Sequence, residues 1–234
     1  MTARSDMAPS HSDDQRPLTV ADVESRFAPG EADIQVEVVD ENGRVLGTAG
    51  KLEAHLPPGV LHRAFSLFLF DDEGRMLLQR RAAAKYHSPL LLTNATCSHP
   101  LPGEPVVDAV RRRAKEELGA DVADLEELGI VIYQVEDDRS GLYEHEYNHV
   151  CVGRVLVDTI DLNPDEVDEI VFVTPEELAS RRADEPMTQW FNHVWGIGAE
   201  KFSKFGFDID NVPGIHGPEE AQQAAADTVK KVGE

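Results

Sequence analysis

One helical pattern in the middle of the chain, with strand patterns on both sides, constrains the fold more than any other feature. Apolar side chains recur at every fourth position from Val106 to Leu118, which places them on one face of a helix. Gly119 follows directly and is typical of a helix end. A helix with one apolar face needs another apolar layer to cover, and the flanking segments predict the strands of that layer.

Short apolar runs before and after this helix predict a sheet. Two of the runs are followed by the turn sequences DENG and DDEG, which are typical of hairpins. The predicted strands are Ile34–Val39, Ala64–Phe70, Met76–Arg80, Ile130–Val135, His149–Val157 and Ile170–Val173, and two further helices are predicted at Pro175–Arg182 and Pro186–Lys201. Strands flanked by a few helices predict an α/β fold, an α+β sandwich with a mixed sheet.

The two ends of the chain differ in composition from its middle. Residues 1–30 are polar and show no periodicity, so we expect a flexible acidic extension there. Residues 31–208 contain all the predicted strands and form the expected domain. Residues 209–234 are an acidic tail, which we expect to form a surface helix and to take no part in chemistry.

The composition limits where the protein works. Hydrophobic residues make up 41% of the chain and the mean hydropathy is -0.35. No apolar run approaches the ~20 residues of a membrane span, and the first fifteen residues lack the apolar centre of a secretory signal. We therefore expect a cytoplasmic protein, in which the two cysteines, Cys97 and Cys151, are thiols.

The charge balance excludes several classes of partner. The chain has 44 acidic and 22 basic residues, a formal net charge of -22. Such a field repels nucleic acid and anionic membranes, so neither is an expected partner. An acidic, solvated surface of this kind is typical of proteins that work in concentrated salt, and we expect a halophilic protein.

The central helix resembles the Nudix box. The segment from Ser98 to Ala120 enters the helix through a Gly-Glu turn and ends in the pattern Arg-x-x-x-Glu-Glu-x-Gly. The matching residues are Glu104, Arg112, Glu116 and Glu117. The departure is Arg113, at a position where hydrolases of this family carry a metal-binding glutamate. An ordinary charged helix face remains the alternative interpretation of this segment.

Five further segments resemble isopentenyl-diphosphate isomerases of type 1, which have the Nudix fold. The sequence TNATCSHP from Thr93 to Pro100 matches the family pattern T-N-x-x-C-x-H-P. Segments around Lys51, His62 and Arg81 match upstream motifs, and Glu144-His145-Glu146 matches a downstream one. The resemblance covers about residues 36–205, with every motif in order.

The resemblance implies the interconversion of isopentenyl and dimethylallyl diphosphate through a tertiary carbocation. Such a reaction needs an acid and a base on opposite faces of one allylic unit. The resemblance assigns these roles to Cys97 and Glu146, assisted by Tyr133, with Trp195 facing the cation. A small buried thiol is the alternative for Cys97, and simple helix packing is the alternative for Trp195. We interpret Trp190 as a core residue.

The resemblance also implies cofactors and a substrate-binding set. One Mn²⁺ or Zn²⁺ ion would be bound by His55, His62, His99, Glu144 and Glu146. Mg²⁺ would bridge the diphosphate with Glu117 and the backbone oxygen of Cys97. Lys51, Arg81 and Lys85 would bind the diphosphate oxygens. The other histidines, among them His87, His145, His149 and His193, are interpreted as surface or core residues.

Two other functions stay open at this point. A Nudix pyrophosphohydrolase is the first, and Arg113 together with the Cys97 and His99 pair argues against it. A metal-binding or diphosphate-binding module without catalysis is the second. The partner we expect is a small isoprenoid diphosphate, and a monomer is favoured.

Overall fold

The computed structural model describes residues 17–26, 33–217 and 219–232. The strands are β1 (Gln35–Val39), β2 (Val45–Gly50), β3 (His62–Phe70), β4 (Met76–Arg81), β5 (Leu92–Thr93), β6 (Thr96–Ser98), β7 (Val122–Asp137), β8 (Leu142–Val155), β9 (Val167–Val173) and β10 (Lys230–Val232). The helices are α1 (Val20–Arg26), α2 (Lys51–His55), α3 (Val106–Leu118), α4 (Pro175–Asp184), α5 (Phe191–Gly198) and α6 (Glu219–Thr228), and a 3-10 turn at Ala199–Phe205 follows α5.

A parallel pair of strands, β3 and β8, lies at the centre of the sheet. Strand β3 is apolar almost throughout because both of its faces are buried, as is usual for parallel strands. The register pairs His62 with Glu146 and Ser66 with Val150. This register brings the histidine of the predicted metal site directly beside the predicted catalytic carboxylate.

Antiparallel strands complete the sheet on both sides of this pair. The strand order is β10-β7-β8-β3-β1-β2, and β4 joins β3, β5 and β9. Strand β6 pairs with β3 so that Cys97 lies opposite Ser66. The sheet is therefore mixed, as predicted, and its centre carries residues of the predicted site.

Helices cover the two faces of the sheet. On one face, Val110, Ala114 and Leu118 of α3 pack with the β3 residues Phe65 and Leu67. On the other face, α5 and the 3-10 turn pack against the alternate β3 residues, Phe68 and Phe70. This arrangement confirms the sandwich, and every helix within the described ranges is too short or too polar to cross a membrane.

The predicted end of the central helix is confirmed. Helix α3 ends at Leu118, and Gly119 adopts a positive φ of 65°. A β-carbon at this position would lie 2.5 Å from the backbone oxygen of Asp161, so space as well as conformation favours glycine.

The second late helix begins later than predicted. We expected Pro186–Lys201, but α5 begins at Phe191 and gives way to the 3-10 turn after Gly198. The chain is held extended before α5 because Met187 forms a bridge with Leu92 and the Thr188 amide donates to the Leu92 carbonyl (2.9 Å). Because α5 begins at Phe191, Trp190 precedes the helix and Trp195 lies within it.

Both predicted appendages are ordered where the structure describes them. The flexible extension was predicted at residues 1–30, of which only 17–26 are described, and these include α1. Val23 of α1 is buried against Leu52 and Tyr86. The predicted surface helix of the tail is α6, and β10 after it pairs with β7, which places Lys230 opposite Ile132.

Candidate active site and metal centre

A cavity opens where α2, β6, β8 and the end of β4 meet. Most of its wall is polar, and the wall contains both lysine and arginine cations and two glutamates. It is lined by Lys51, Arg81, Lys85, Tyr86, His87, Cys97, Ser98, His99, Arg113, Tyr133, Glu144, Glu146 and Trp190.

Three histidines and one glutamate form a compact cluster beside this cavity. The ligand atoms of His55, His62, His99 and Glu146 all lie within 4.8 Å of one another, and all four residues are buried. His62 Nε2 lies 3.0 Å from His99 Nε2, and His99 Nε2 lies 3.3 Å from Glu146 Oε1. Imidazole and carboxylate ligands at this spacing suit a transition-metal ion.

In His55 and His62, hydrogen bonds made by Nδ1 leave Nε2 unprotonated and free to bind a metal ion. His55 Nδ1 donates to the Lys51 carbonyl (2.7 Å), and His62 Nδ1 donates to the Val60 carbonyl (2.7 Å). Each Nε2 then carries a lone pair directed into the cluster, and His55 Nε2 is buried without a hydrogen-bond partner. Histidine ligands are commonly oriented in this way by backbone carbonyls, so the residues present fit a bound cation.

Charges in this cluster are redistributed by burial. Burial, together with the neighbouring His55, lowers the pKa of His62 to about 3, so the ring is neutral. Burial alone would raise the pKa of Glu144, but His87 and His55 outweigh it and lower the pKa well below the ordinary range. Neutral rings beside an ionised carboxylate are the protonation states that a metal ion requires.

Cys97 lies at the other side of the cavity, held by three polar groups. Its Sγ is 3.2 Å from Ser66 Oγ, donates to Asn94 Oδ1 at 3.2 Å, and accepts from Trp190 Nε1 at 3.1 Å. Burial raises the pKa of the Cys97 thiol to about 12, although the bonds to Ser66 and Asn94 act in the opposite direction. The thiol therefore keeps its proton at neutral pH and can act as an acid.

Glu146 is the carboxyl group in the cavity whose pKa is raised. Its Oε2 accepts from Tyr133 Oη and from Asn148 Nδ2, the latter at 2.7 Å. Burial, followed by the charge of Glu144, raises the pKa of Glu146 well above its ordinary value. A carboxyl whose pKa is shifted toward neutrality can accept and return protons under ordinary conditions.

Four cationic side chains line the same cavity. Arg81 donates to the backbone carbonyl of His87 (3.3 Å), and its guanidinium lies 5.2 Å from the centre of the Trp190 ring. Lys51 lies over the Tyr86 ring, and Lys85 is paired with Glu166. The fourth cation is Arg113. A chain with a net charge of -22 thus concentrates positive charge here.

Arginines of the central helix form ion pairs with carboxylates in and around that helix. Arg112 binds Glu104 through two bonds of 2.8 Å, and Arg113 binds Glu117 at 2.7 Å and Glu166 at 3.1 Å. Gln79 also donates to Glu117, at 3.3 Å. Arg113 thus places a cation beside Glu117 and neutralises its charge.

Comparison with known proteins identifies the family of this chain. The NUDIX domain family matches residues 60–193. Isopentenyl-diphosphate Delta-isomerase of Streptomyces avermitilis is 50% identical over 181 residues, which cover 76% of this chain and 90% of that one. The protein of the same name from Streptomyces griseus is 51% identical over 180 residues, with the same shares. That from Nocardia farcinica is 47% identical over 164 residues, covering 69% of this chain and 93% of that one.

The chain belongs to the isopentenyl-diphosphate Delta-isomerase family. The backbone is also similar to that of a Deinococcus radiodurans protein in a crystal structure, with a TM-score of 0.53 and 21% identity. That match covers 70% of this chain and 98% of the other, and it shows the fold alone.

The family's motifs come together in space. The predicted residues that line the cavity are Lys51, Arg81, Lys85, Cys97, His99, Tyr133, Glu144 and Glu146. His55 and His62 lie in the adjoining cluster. Glu144 and Glu146, two residues apart, are both buried on one face of β8. Glu117 lies behind Arg113 and is not among the residues that line the cavity.

Trp195 is a predicted site residue that does not line the cavity. Its ring packs in the core against Phe68 and Phe202, and its Nε1 donates to His216 (3.2 Å). Trp190 is buried in the core, as we interpreted it, and its Nε1 also donates to Cys97 Sγ at the cavity wall. The late start of α5 is the physical reason, because residue 190 precedes the helix and residue 195 lies within its buried face.

Sequence reasoning did not assign five of the lining residues to the site: Tyr86, His87, Ser98, Arg113 and Trp190. His87 was interpreted as a surface or core residue, but it is buried in the cavity wall and its Nε2 lies 2.7 Å from Glu144 Oε1. Arg113 was interpreted as a lost ligand that offers a salt bridge to Glu117, and that salt bridge is present, but Arg113 also lines the cavity as a cation. The one signal for His87 was its position, two residues after Lys85, which ends a matched segment.

Proposed function

We propose that this protein interconverts isopentenyl and dimethylallyl diphosphate. The observation that supports the proposal most directly is that one cavity is lined by both Cys97, with its protonated thiol, and Glu146. Positive side chains at the same cavity suit a diphosphate, and the relatives reported above carry the matching name.

The two proton transfers are assigned to the two buried acids. In the direction that starts from isopentenyl diphosphate, the Cys97 thiol gives its proton to the terminal alkene carbon, and positive charge develops on the tertiary carbon. Glu146 then takes a proton from the carbon on the other side of that centre. Tyr133 and Asn148, which donate to Glu146 Oε2, orient the carboxyl group. The reverse direction exchanges the two roles.

Trp190 is the residue we propose to face the positive charge between these steps. Its indole lies in the cavity wall, donates to Cys97 Sγ, and has the Arg81 guanidinium against its ring. The face of an indole stabilises a cation, by ~2 kcal/mol or more where water is excluded. Trp190 therefore takes the role that the sequence assigned to Trp195.

The diphosphate is assigned to the cationic wall. We propose that Lys51, Arg81 and Lys85 bind its oxygens, as the sequence predicted, and that Arg113 joins them. Arg113 and Lys85 both contact Glu166, which holds the two cations near each other without substrate. Bound phosphate oxygens would compete with that carboxylate for the same donors.

Two metal ions are part of the proposal. One Mn²⁺ or Zn²⁺ ion would be held by the three histidines with Glu144 and Glu146, and Mg²⁺ would accompany the diphosphate near Glu117 and the backbone of Cys97. When bound, a divalent cation supplies positive charge that favours the ionised form of a carboxyl such as Glu146. The orphaned His55 Nε2 supports the first of these sites.

One assay tests the proposed reaction against hydrolysis. Isopentenyl diphosphate is incubated with the protein and Mg²⁺, and NMR follows the allylic product and free phosphate together. We expect the allylic product without matching phosphate release, because Arg113 stands where a hydrolase needs another metal-binding carboxylate. Phosphate release at a rate comparable to isomerisation would instead favour the pyrophosphohydrolase.

Metal removal tests the histidine site. We expect one transition-metal ion per chain in active protein, measured by elemental analysis. A strong chelator should abolish activity, and Mg²⁺ alone should not restore it, because imidazole ligands favour Mn²⁺ or Zn²⁺ over Mg²⁺. Active protein that contains neither Mn nor Zn would contradict the site.

A further inference from the structure

His87 is a buried cavity residue to which the proposed reaction gives no role. It lies in the segment between β4 and β5, and 8% of its surface is exposed. Its ring is 4.3 Å from Tyr86, 5.4 Å from Trp190 and 5.9 Å from His55, measured between ring centres. The side chain therefore stands between the histidine cluster and the cationic wall.

The two oxygens of Glu144 face different histidines, and His87 is one of them. Oε1 of Glu144 lies 2.7 Å from His87 Nε2, whereas Oε2 lies 3.3 Å from His55 Nε2. His55 Nε2 carries a lone pair that points into the cluster, because the other ring nitrogen, Nδ1, donates to a backbone carbonyl. His87 thus engages one carboxylate oxygen and leaves the other directed at the cluster.

The backbone of His87 reaches the second half of the site. Its carbonyl oxygen accepts from Arg81 Nε at 3.3 Å and from Nη2 at 3.2 Å. His87 therefore contacts Glu144, beside the histidine cluster, through its side chain. It contacts Arg81 of the opposite wall mainly through its main chain, with Arg81 Nη2 also 3.3 Å from His87 Nε2.

We propose that His87 is a positioning residue that orients Glu144 as a ligand of the metal centre. The proposal rests on the metal site given under the proposed function. A hydrogen bond from a second residue to a ligating carboxylate fixes which oxygen faces the ion, and its loss typically weakens metal binding by ~10–100-fold. His87 donates through Nε2 to Oε1 and needs no contact with the ion itself.

Three substitutions at position 87 separate the hydrogen bond from the packing. H87F keeps a ring in the cavity wall and removes the donor. H87A removes both, and H87Q places an amide nitrogen where it can still donate to Glu144. A matched control is H149F, since His149 is another buried histidine paired with a glutamate, Glu127 at 2.8 Å. His149 lies on β8 at a position that alternates with Glu144 and Glu146, on the opposite face of the sheet.

The measurement is the dissociation constant of Zn²⁺ for metal-free protein, by competition with a chromogenic chelator, with thermal melts as the test of folding. We expect H87F and H87A to weaken binding by ~10–100-fold, H87Q to recover most of the loss, and H149F to match the wild type. Because turnover is not measured, the result is independent of which reaction the protein catalyses.

Two outcomes would overturn the inference in distinguishable ways. Folded H87F with wild-type Zn²⁺ affinity would remove the positioning role and leave the proposed metal site and reaction intact. Wild-type protein that binds no Zn²⁺ would overturn the metal site together with the role of His87. Equal losses in H87F and H149F would also contradict the inference, because the effect would then be a general loss of packing.

Discussion

At the scale of single residues, burial changes what the side chains of the site can do. The same loss of water keeps the Cys97 thiol protonated, makes the His62 ring neutral and raises the pKa of Glu146. Hydrogen bonds then select an orientation for each group, as Trp190 does for Cys97 and Tyr133 does for Glu146.

Substitution of either proposed proton-transfer group should abolish turnover. We expect C97A and E146Q each to lower kcat by ~10²–10⁴-fold, and by more if no water can replace the lost group. The thermal melt of C97A should stay near that of the wild type, since Cys97 lies at the edge of the core. A variant that keeps more than about a tenth of wild-type activity would contradict the role of its residue.

Substitution of Trp190 and of Trp195 should have opposite effects on activity and on stability. W190F should lower kcat by about tenfold, equivalent to ~1.4 kcal/mol in the barrier, because it removes the donor to Cys97 and weakens the cation contact. W195F should leave kcat nearly unchanged and lower the free energy of unfolding by ~1 kcal/mol, because Trp195 packs among core aromatics. The reverse pattern in kinetics and melts would restore the role predicted from the sequence.

Glu166 should contribute to the dependence of stability on acid. Burial alone would raise its pKa, but Lys85 and Arg113 outweigh burial and lower the pKa from 4.5 to about 2. A carboxyl whose pKa is lower in the folded state stabilises fully above its unfolded pKa and loses that contribution as the pH falls through the folded value. The contribution should therefore be lost from about pH 4.5 down to about 2.

The variant E166Q tests whether the contribution of Glu166 to stability depends on pH. It should be less stable than the wild type near pH 6, and the difference in free energy of unfolding should narrow as the pH falls toward 2. Denaturant titrations at several pH values measure it. A constant difference at all pH values would mean that Glu166 contributes by packing and not by charge.

At the scale of elements, the C-terminal segment of α6 and β10 contributes to the domain more than its composition indicates. Strand β10 extends the sheet at β7, and Thr228 contacts His193, which stacks on Tyr133 with ring centres 5.0 Å apart. The segment thus packs behind a residue of the site without lining the cavity.

Removal of this segment should lower stability more than activity. We expect deletion of residues 219–234 to lower the melting temperature by several degrees, at roughly 2–4 °C per kcal/mol lost for a chain of this size. The KM should change little because the cationic wall is untouched. Deletion of residues 233–234 alone is the control and should leave the melt unchanged, and equal melts for both deletions would contradict the packing role.

At the scale of the whole molecule, the net charge of -22 should make stability depend on salt. The Debye length is about 30 Å at ~0.01 M salt, roughly the span of a domain, and about 3 Å at ~1 M. High salt therefore screens repulsion across the acidic surface and spares short, buried contacts of the metal centre. Scarce lysine is consistent with this, since the chain has seven lysines against fifteen arginines.

Thermal melts from ~0.05 to ~3 M KCl measure this dependence. We expect the melting temperature to rise with salt and activity to persist at molar KCl. A flat melting temperature would mean that the acidity serves solubility only, and it would leave the proposed reaction unaffected.

The sequence by itself determined the class of fold, the family and most of the residues that gather at the cavity. Periodicity identified the central helix and its end at Gly119, because local spacing decides which face of a helix is apolar. The alternation of β8 likewise placed Glu144 and Glu146 on one face. The short strands β5 and β6 were missed, since two or three residues carry no period.

Only the tertiary structure decided which side chains reach one another. The segment before α5 is extended because it pairs with Leu92, which lies far earlier in the chain. That pairing brings Trp190, and not Trp195, to Cys97. The contact of His87 with Glu144 is likewise made between segments far apart in sequence. Local propensity contains no information about such contacts, because they depend on how separate elements pack together.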